Sequence, residues 1–214
     1  MNETQQYLAH LAEMRALMER SSRFLSLSGL SGVWAGICAL AGAGAVYAYL
    51  DMLPLSATDG YYYEKAIRTV KWGMDYKRAF VLIALLVLVT ALAGGIFFTT
   101  RKARRQGMKV WDGSSKRMLW AIAVPLAAGG VFCLALLRWD LPALVAPSTL
   151  VFYGLALVNG SKHTLRDVEF LGLTEIALGL AGLFYLGNGL ELWTTGFGLL
   201  HIVYGAWMYF KYEP

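Results

Sequence analysis

The stretch RAFVLIALLVLVTALAGGIFFT occupies residues 78–99 and carries no charged side chain after Arg78. As an α-helix it would rise about 33 Å, close to the thickness of a bilayer's hydrocarbon core. Leucine, valine, isoleucine and phenylalanine fall on every side of such a helix. No face is left for water, which is the pattern of a helix immersed in an apolar medium. The stretch therefore reads as a transmembrane helix.

Five further apolar segments have similar lengths: 27–50, 117–138, 141–159, 168–187 and 190–211. The expected fold class is an all-α polytopic membrane protein with six transmembrane helices. Composition agrees. Of 214 residues, 57% are hydrophobic and 15% charged, against about 25% charged in an average globular domain. Pro142 and Pro147 lie in the first turns of the fourth segment, where proline is tolerated. Pro125 lies inside the third, where a kink is expected. No cleavable signal peptide is expected, because the first apolar segment starts late and is too long for one.

Before these segments, residues 4–20 have an amphipathic helical pattern, with Tyr7, Leu11, Met14 and Met18 on one face. The expected domains are a cytoplasmic amphipathic helix over 1–26 and a six-helix transmembrane domain over 27–214. The longest connection is 51–77. Within it, Tyr63, Ile67, Val70 and Met74 form an apolar line, so 61–77 reads as an interfacial helix. Tyr61, Tyr62 and Trp72 suit its headgroup level.

Basic residues orient the chain. Thirteen of the 19 Lys and Arg side chains fall on the N-terminal side of an alternating topology, seven of them in RKARRQGMKVWDGSSKR at 101–117. The bias of lysine and arginine toward the cytoplasm places both termini inside, in a bacterial cytoplasmic membrane. The same loop would attract anionic lipids. With the N-terminal helix it is the expected surface for a protein partner. The glycine-lined helix faces also suit a homo-oligomer. Nucleic acid is not expected as a partner, because no folded scaffold to read bases accompanies the basic loop. Cys38 and Cys133 lie singly in apolar segments, with neither metal-ligand spacing nor a disulfide framework.

Ionisable side chains inside membrane helices are costly, so each is a candidate for function. Glu175 and His201 lie well inside the fifth and sixth segments. Gly172, Glu175, Gly179 and Gly182 share one face, and so do Thr194, Gly198, His201 and Gly205. Small residues on these faces let helices approach closely. A short turn near Asn188 and Gly189 makes the two helices antiparallel neighbours, with both groups at similar depth. A shared polar layer is expected, paired directly or through water. Ser28 and Ser31 of the first segment, Thr174 and Tyr204 are added to the ligand- or proton-binding candidates by depth. No catalytic residue is assigned. Glu175 and His201 are also the candidate metal ligands, although two ligands make a poor site alone.

No cofactor is expected, since GxGxxG, a phosphate loop, CxxC and HExxH are all absent. The residues leave three readings open. One is a non-enzymatic sensor, regulator or partner-binding protein with a buried Glu–His layer. Another is a small proton or solute transporter or channel. A third is an intramembrane enzyme acting on a lipid or carotenoid. The chain leans away from an enzyme.

Three stretches carry a resemblance: RSSRFLSLSGLSGVWAG at 20–36, LVNGSKHTLRDVEFLGLTEIALGL at 157–180 and GFGLLHIVYGAWMYFKYE at 196–213. They resemble an uncharacterised family of bacterial six-span membrane proteins, some of whose members carry the label β-carotene monooxygenase-like. The resemblance implies the six-helix fold. The chain's three histidines do not supply the histidine sets of carotenoid-cleaving enzymes.

Overall fold

The computed structural model describes residue 10, residue 14, and residues 27–54, 61–107 and 110–213. Apart from His10 and Met14, the expected N-terminal amphipathic helix lies outside the described residues. So does the 55–60 part of the first long connection.

The chain is an all-α bundle. Helix α1 covers Gly29–Leu50, and the short α2 covers Tyr62–Arg68. Helix α3 runs Tyr76–Arg105 and α4 runs Gly113–Arg138. A 3-10 turn at Pro142–Leu144 leads into α5, Val145–Ser161. Helix α6 is Asp167–Phe184. The last helical stretch begins as α7, Gly189–Trp193, widens into a π-helix over Thr194–Leu200, and ends as α8, His201–Tyr212.

Among the described residues, four stretches are long and apolar enough to cross a membrane: α1, α3, α4 and Pro142–Ser161. The α3 window has a mean hydropathy of 2.8, yet none of it is buried inside the protein. Leu82, Leu86, Val89, Leu92, Ile96 and Phe97 all point outward. Helix α6 is as long as a minimal span but carries Asp167, Glu169 and Glu175. These acids lower its mean hydropathy without giving it a wet face, since Glu175 is fully buried.

The bundle is built from tight helix pairs. Helix α1 packs on α8 and on the π-helix, while α5 packs on α6; α3 lies against α1 and α4 against α5. Glycine permits both tight pairs. A Cβ on Gly205 would come 2.5 Å from the backbone nitrogen of Val33. A Cβ on Gly154 would come 2.5 Å from the carbonyl oxygen of Gly172. At both places backbone meets backbone, which only a glycine allows. The glycine faces of the last two helices thus receive α5 and α1. They are not mainly pressed on one another, as their short connecting turn suggested.

Prolines inside the bundle leave carbonyl groups without a helical donor, and side chains fill these gaps. Pro125 cannot donate to Ala121 O, which instead accepts from Asn159 Nδ2 at 2.8 Å. Helix α4 continues through Pro125 and is tied there to α5. Pro147 likewise frees Ala143 O, and the hydroxyl of Tyr62 donates to it at 3.3 Å and to Pro142 O at 3.0 Å.

Two connections differ from expectation. The interfacial helix over 61–77 stops at Arg68. Val70–Lys71 and Met74–Asp75 then pair as a small antiparallel hairpin. Its turn residues, Trp72 and Gly73, have φ of 55° and 74°. That left-handed pair matches the twist of a two-residue hairpin. The basic loop 101–117 is mostly helix: α3 extends to Arg105, and α4 starts at Gly113 behind a capping box formed by Asp112 and Ser115.

Just beyond the other end of α4, Asp140 is held by two neighbours at the start of α3. Tyr76 donates its hydroxyl at 2.6 Å, and Lys77 Nζ lies at 2.9 Å. The Tyr76 hydrogen bond and then the Lys77 contact hold its carboxyl below the usual carboxylate range.

Candidate functional site

Glu175 sits midway along α6 and His201 at the junction of the π-helix with α8. Glu175 has no exposed surface, and His201 is 4% exposed. His201 Nδ1 lies 3.3 Å from Glu175 Oε1. The same nitrogen lies 3.0 Å from the carbonyl oxygen of Gly196, and Nε2 lies 2.8 Å from the hydroxyl of Tyr153. A carbonyl only accepts, so Nδ1 carries a proton directed at Gly196. In the neutral ring Nε2 then accepts from Tyr153. The imidazole is therefore held from both sides in one tautomer.

The carboxyl group is held differently. Among the described residues, neither oxygen of Glu175 has a hydrogen-bond partner. The 3.3 Å approach of Nδ1 is electrostatic contact, because that N–H is aimed at Gly196. One carboxylate oxygen is pressed on Gly196, where a Cβ would collide with it and with Leu150. The π-helix produces this space. Its wider turn brings Gly196 beside α6 and leaves the Gly196 carbonyl within reach of a side chain five residues on. Such bulges recur at functional sites.

Aromatic rings seal the centre. Phe197 stacks on His201 with centroids 5.8 Å apart, and Tyr153 packs on both. Trp193 extends the stack through Phe197. The centre thus lies where the α5–α6 pair meets the stretch from α7 to α8. Chemically it is a buried acid beside a buried imidazole, with one tyrosine hydroxyl on the ring's other nitrogen.

The other residues singled out in the sequence lie elsewhere. Thr174 Oγ1 donates to Leu171 O of its own helix. Tyr204 packs in an apolar cluster with Leu157, Leu171 and Met208. Ser31 Oγ bonds back to Ser28 O. Ser28 is the N-cap residue of α1, and its hydroxyl donates to Glu213 at 3.1 Å. Glu213 lies twelve residues beyond His201, about 18 Å along a helix. The expected grouping of Ser28 or Ser31 with Glu175 and His201 does not form, because helix axial rise separates them.

A second buried polar cluster forms instead at that end. Glu213 accepts from the backbone N–H of Gly29 at 2.6 Å, capping α1 from the opposite end of the chain. Lys102 Nζ lies 3.6 Å from Glu213 and donates to Leu27 O at 2.8 Å. Lys102 is 7% exposed. It belonged to the loop read as a basic surface, but α3 continues through it and turns it inward.

Sequence reasoning also missed Tyr153 and Gly196. Tyr153 immediately precedes Gly154, one of the close-packed glycines, which was its available signal. Among the described residues, no group of three or more His, Cys, Asp or Glu side chains is arranged to hold a metal ion. No family model, curated protein or solved structure matches the chain.

Proposed function

We propose that this chain is a six-span protein of a bacterial cytoplasmic membrane, acting as a non-enzymatic sensor or regulator through the Glu175–His201–Tyr153 centre. The carrying observation is Glu175: fully buried, with neither carboxylate oxygen hydrogen-bonded among the described residues and His201 Nδ1 3.3 Å away. An ionised carboxylate in that setting is expensive unless a counter-charge forms beside it. A proton arriving or leaving there changes the charge at a junction between packed helices. That is the kind of local event that biases a two-state bundle.

The outward apolar surface of α3 supports the membrane setting. The continuous helical run from α7 to α8 supports reading it as a sixth span. The basic segment from 101 to 117 supports cytoplasmic termini and a surface for anionic lipid or a protein partner. Proton or solute transport through the same centre is the second reading. It is favoured by a further acid, the half-buried Glu191, whose Oε2 is buried and has no hydrogen-bond partner among the described residues.

Infrared difference spectroscopy of the protein in lipid nanodiscs tests the proposal. Stepping the pH should reveal a buried carboxyl stretch that Glu175→Gln removes. No carboxyl signal sensitive to that substitution, at any pH, would overturn it. Cysteine labelling that puts residues near Arg104 outside would overturn the topology.

A further inference from the structure

The last helical stretch leaves α-helical pairing over Thr194–Leu200, where it is a π-helix. Three of its side chains hydrogen-bond to carbonyls of the same stretch. Thr194 Oγ1 donates to Leu190 O at 2.8 Å, and Thr195 Oγ1 donates to Glu191 O at 2.9 Å. Both are hydroxyl bonds to the carbonyl four residues back, which ordinary α-helices also make. The third is different. His201 Nδ1 donates to Gly196 O at 3.0 Å, five residues back, from inside the buried centre.

The same nitrogen lies 3.3 Å from Glu175 Oε1, which has no hydrogen-bond partner among the described residues. One N–H thus stands between two acceptors, a carbonyl that holds it and a carboxyl oxygen that lacks a donor. The present choice suits a neutral acid. Ionisation reverses the ranking, because hydrogen bonds to a charged group are shorter and roughly twice as strong as neutral ones. The turn that would respond touches both halves of the bundle. Gly196 faces Glu175 and Leu150, while a Cβ on Gly36 of α1 would come 2.6 Å from Gly198 O. Leu40 of α1 also lies against Gly198. The titratable groups facing Glu175 are His201 from α8 and, on the far side of the ring, Tyr153 from α5. Helix α1 brings Gly36 and Leu40 to the π-helix.

We propose that the Nδ1–H of His201 is a two-position latch on the π-helix, held by Gly196 O while Glu175 is neutral and by Glu175 once it is ionised. When Glu175 gives its proton to bulk water, the N–H turns to the carboxylate. Gly196 O is released and takes a backbone N–H, as in α-helical pairing. His201 keeps the same number of protons throughout, and its Nε2 keeps the bond to Tyr153. The changed turn reaches α1 through Gly36 and Leu40. The charge at Glu175 is thereby converted into a change of helix pairing. This assignment rests on Glu175 being the proton-binding group of the proposed sensor.

Gly196–Phe197 is the single Gly–Phe step in the sequence. Isotope labelling of glycine carbonyls together with phenylalanine nitrogens therefore marks one peptide bond for solid-state magnetic resonance of the protein in lipid. The Gly196 carbonyl signal should shift with pH, at the same midpoint as the infrared band of the Glu175 carboxyl. In Glu175→Gln it should stay at its low-pH position throughout. In Glu175→Asp, which keeps an acid, both midpoints should move together. Circular dichroism and gel filtration select the variants that remain folded. A Gly196 signal that does not move while the Glu175 band titrates overturns the latch and leaves the centre standing. So does a shift that persists in Glu175→Gln, or one whose midpoint differs from that of the band. Absence of a Glu175 band from the unsubstituted protein overturns the centre and the latch together.

Discussion

His201 Nδ1 stands 3.3 Å from Glu175 Oε1, yet its N–H is directed at Gly196 O, 3.0 Å away. The pair is therefore joined by proximity and by shared burial, without a direct hydrogen bond. Removing either partner leaves the other in an apolar enclosure. A double-mutant cycle with Glu175→Gln and His201→Gln should give a coupling energy of about 0.5–3 kcal/mol in detergent unfolding. Strict additivity would mean that the two groups are independent despite their proximity.

Gly196 makes room for the carboxyl. A methyl group there meets Glu175 and Leu150. Gly196→Ala should destabilise the protein by roughly 1–3 kcal/mol, the usual cost of overpacking. Combining it with Glu175→Ala, which empties the contested space, should recover part of that loss. Equal losses in the presence and absence of Glu175 would show that the collision is not with the carboxyl.

At the opposite end of α8, Glu213 joins Ser28, Gly29 and Lys102. Glu213→Ala removes the cap of α1 and leaves Lys102 buried without its counter-charge. A loss of about 1–3 kcal/mol is expected. Amide exchange should accelerate over the first turn of α1. Adding Lys102→Met should return part of the stability, because no unpaired buried charge then remains. Faster exchange confined to the 61–75 region would contradict this.

Asp140 provides the pH-dependent prediction. Its pKa is lowered in the folded state by Tyr76 and Lys77. Its contribution is thus fully present above its unfolded value near ~3.9 and is lost as pH falls through the folded value. The difference in melting temperature between the unsubstituted protein and Asp140→Asn should be flat from neutral pH to about 5, and shrink below about 4. A difference that grows on acidification would reverse the sign of the linkage.

Apolar runs about as long as a bilayer core is thick were legible in the residues themselves, because apolar composition is a property of each segment separately. For the same reason Glu175 and His201 stood out: an ionisable group in such a run is conspicuous with no knowledge of its neighbours. The length of the interfacial helix was not legible in this way. The apolar line of Tyr63, Ile67, Val70 and Met74 continued past Arg68, but the left-handed turn at Trp72 and Gly73 overrode it.

The partners of the glycine faces were not legible either. Gly172 and Gly205 announce close packing, yet a small residue specifies a short distance and not which helix fills it. Only the fold assigned α5 to Gly172 and α1 to Gly205. The same limit governed the site. Tyr153, Gly196 and Leu150 come to the Glu175–His201 pair from separate elements. Lys102 met Glu213 across about half the length of the chain. The sequence alone determined which helices are apolar and which buried charges need an explanation, since both depend on local composition. Tertiary structure decided what answers those charges, because hydrogen bonds and helix contacts are made through space between residues that no local pattern links.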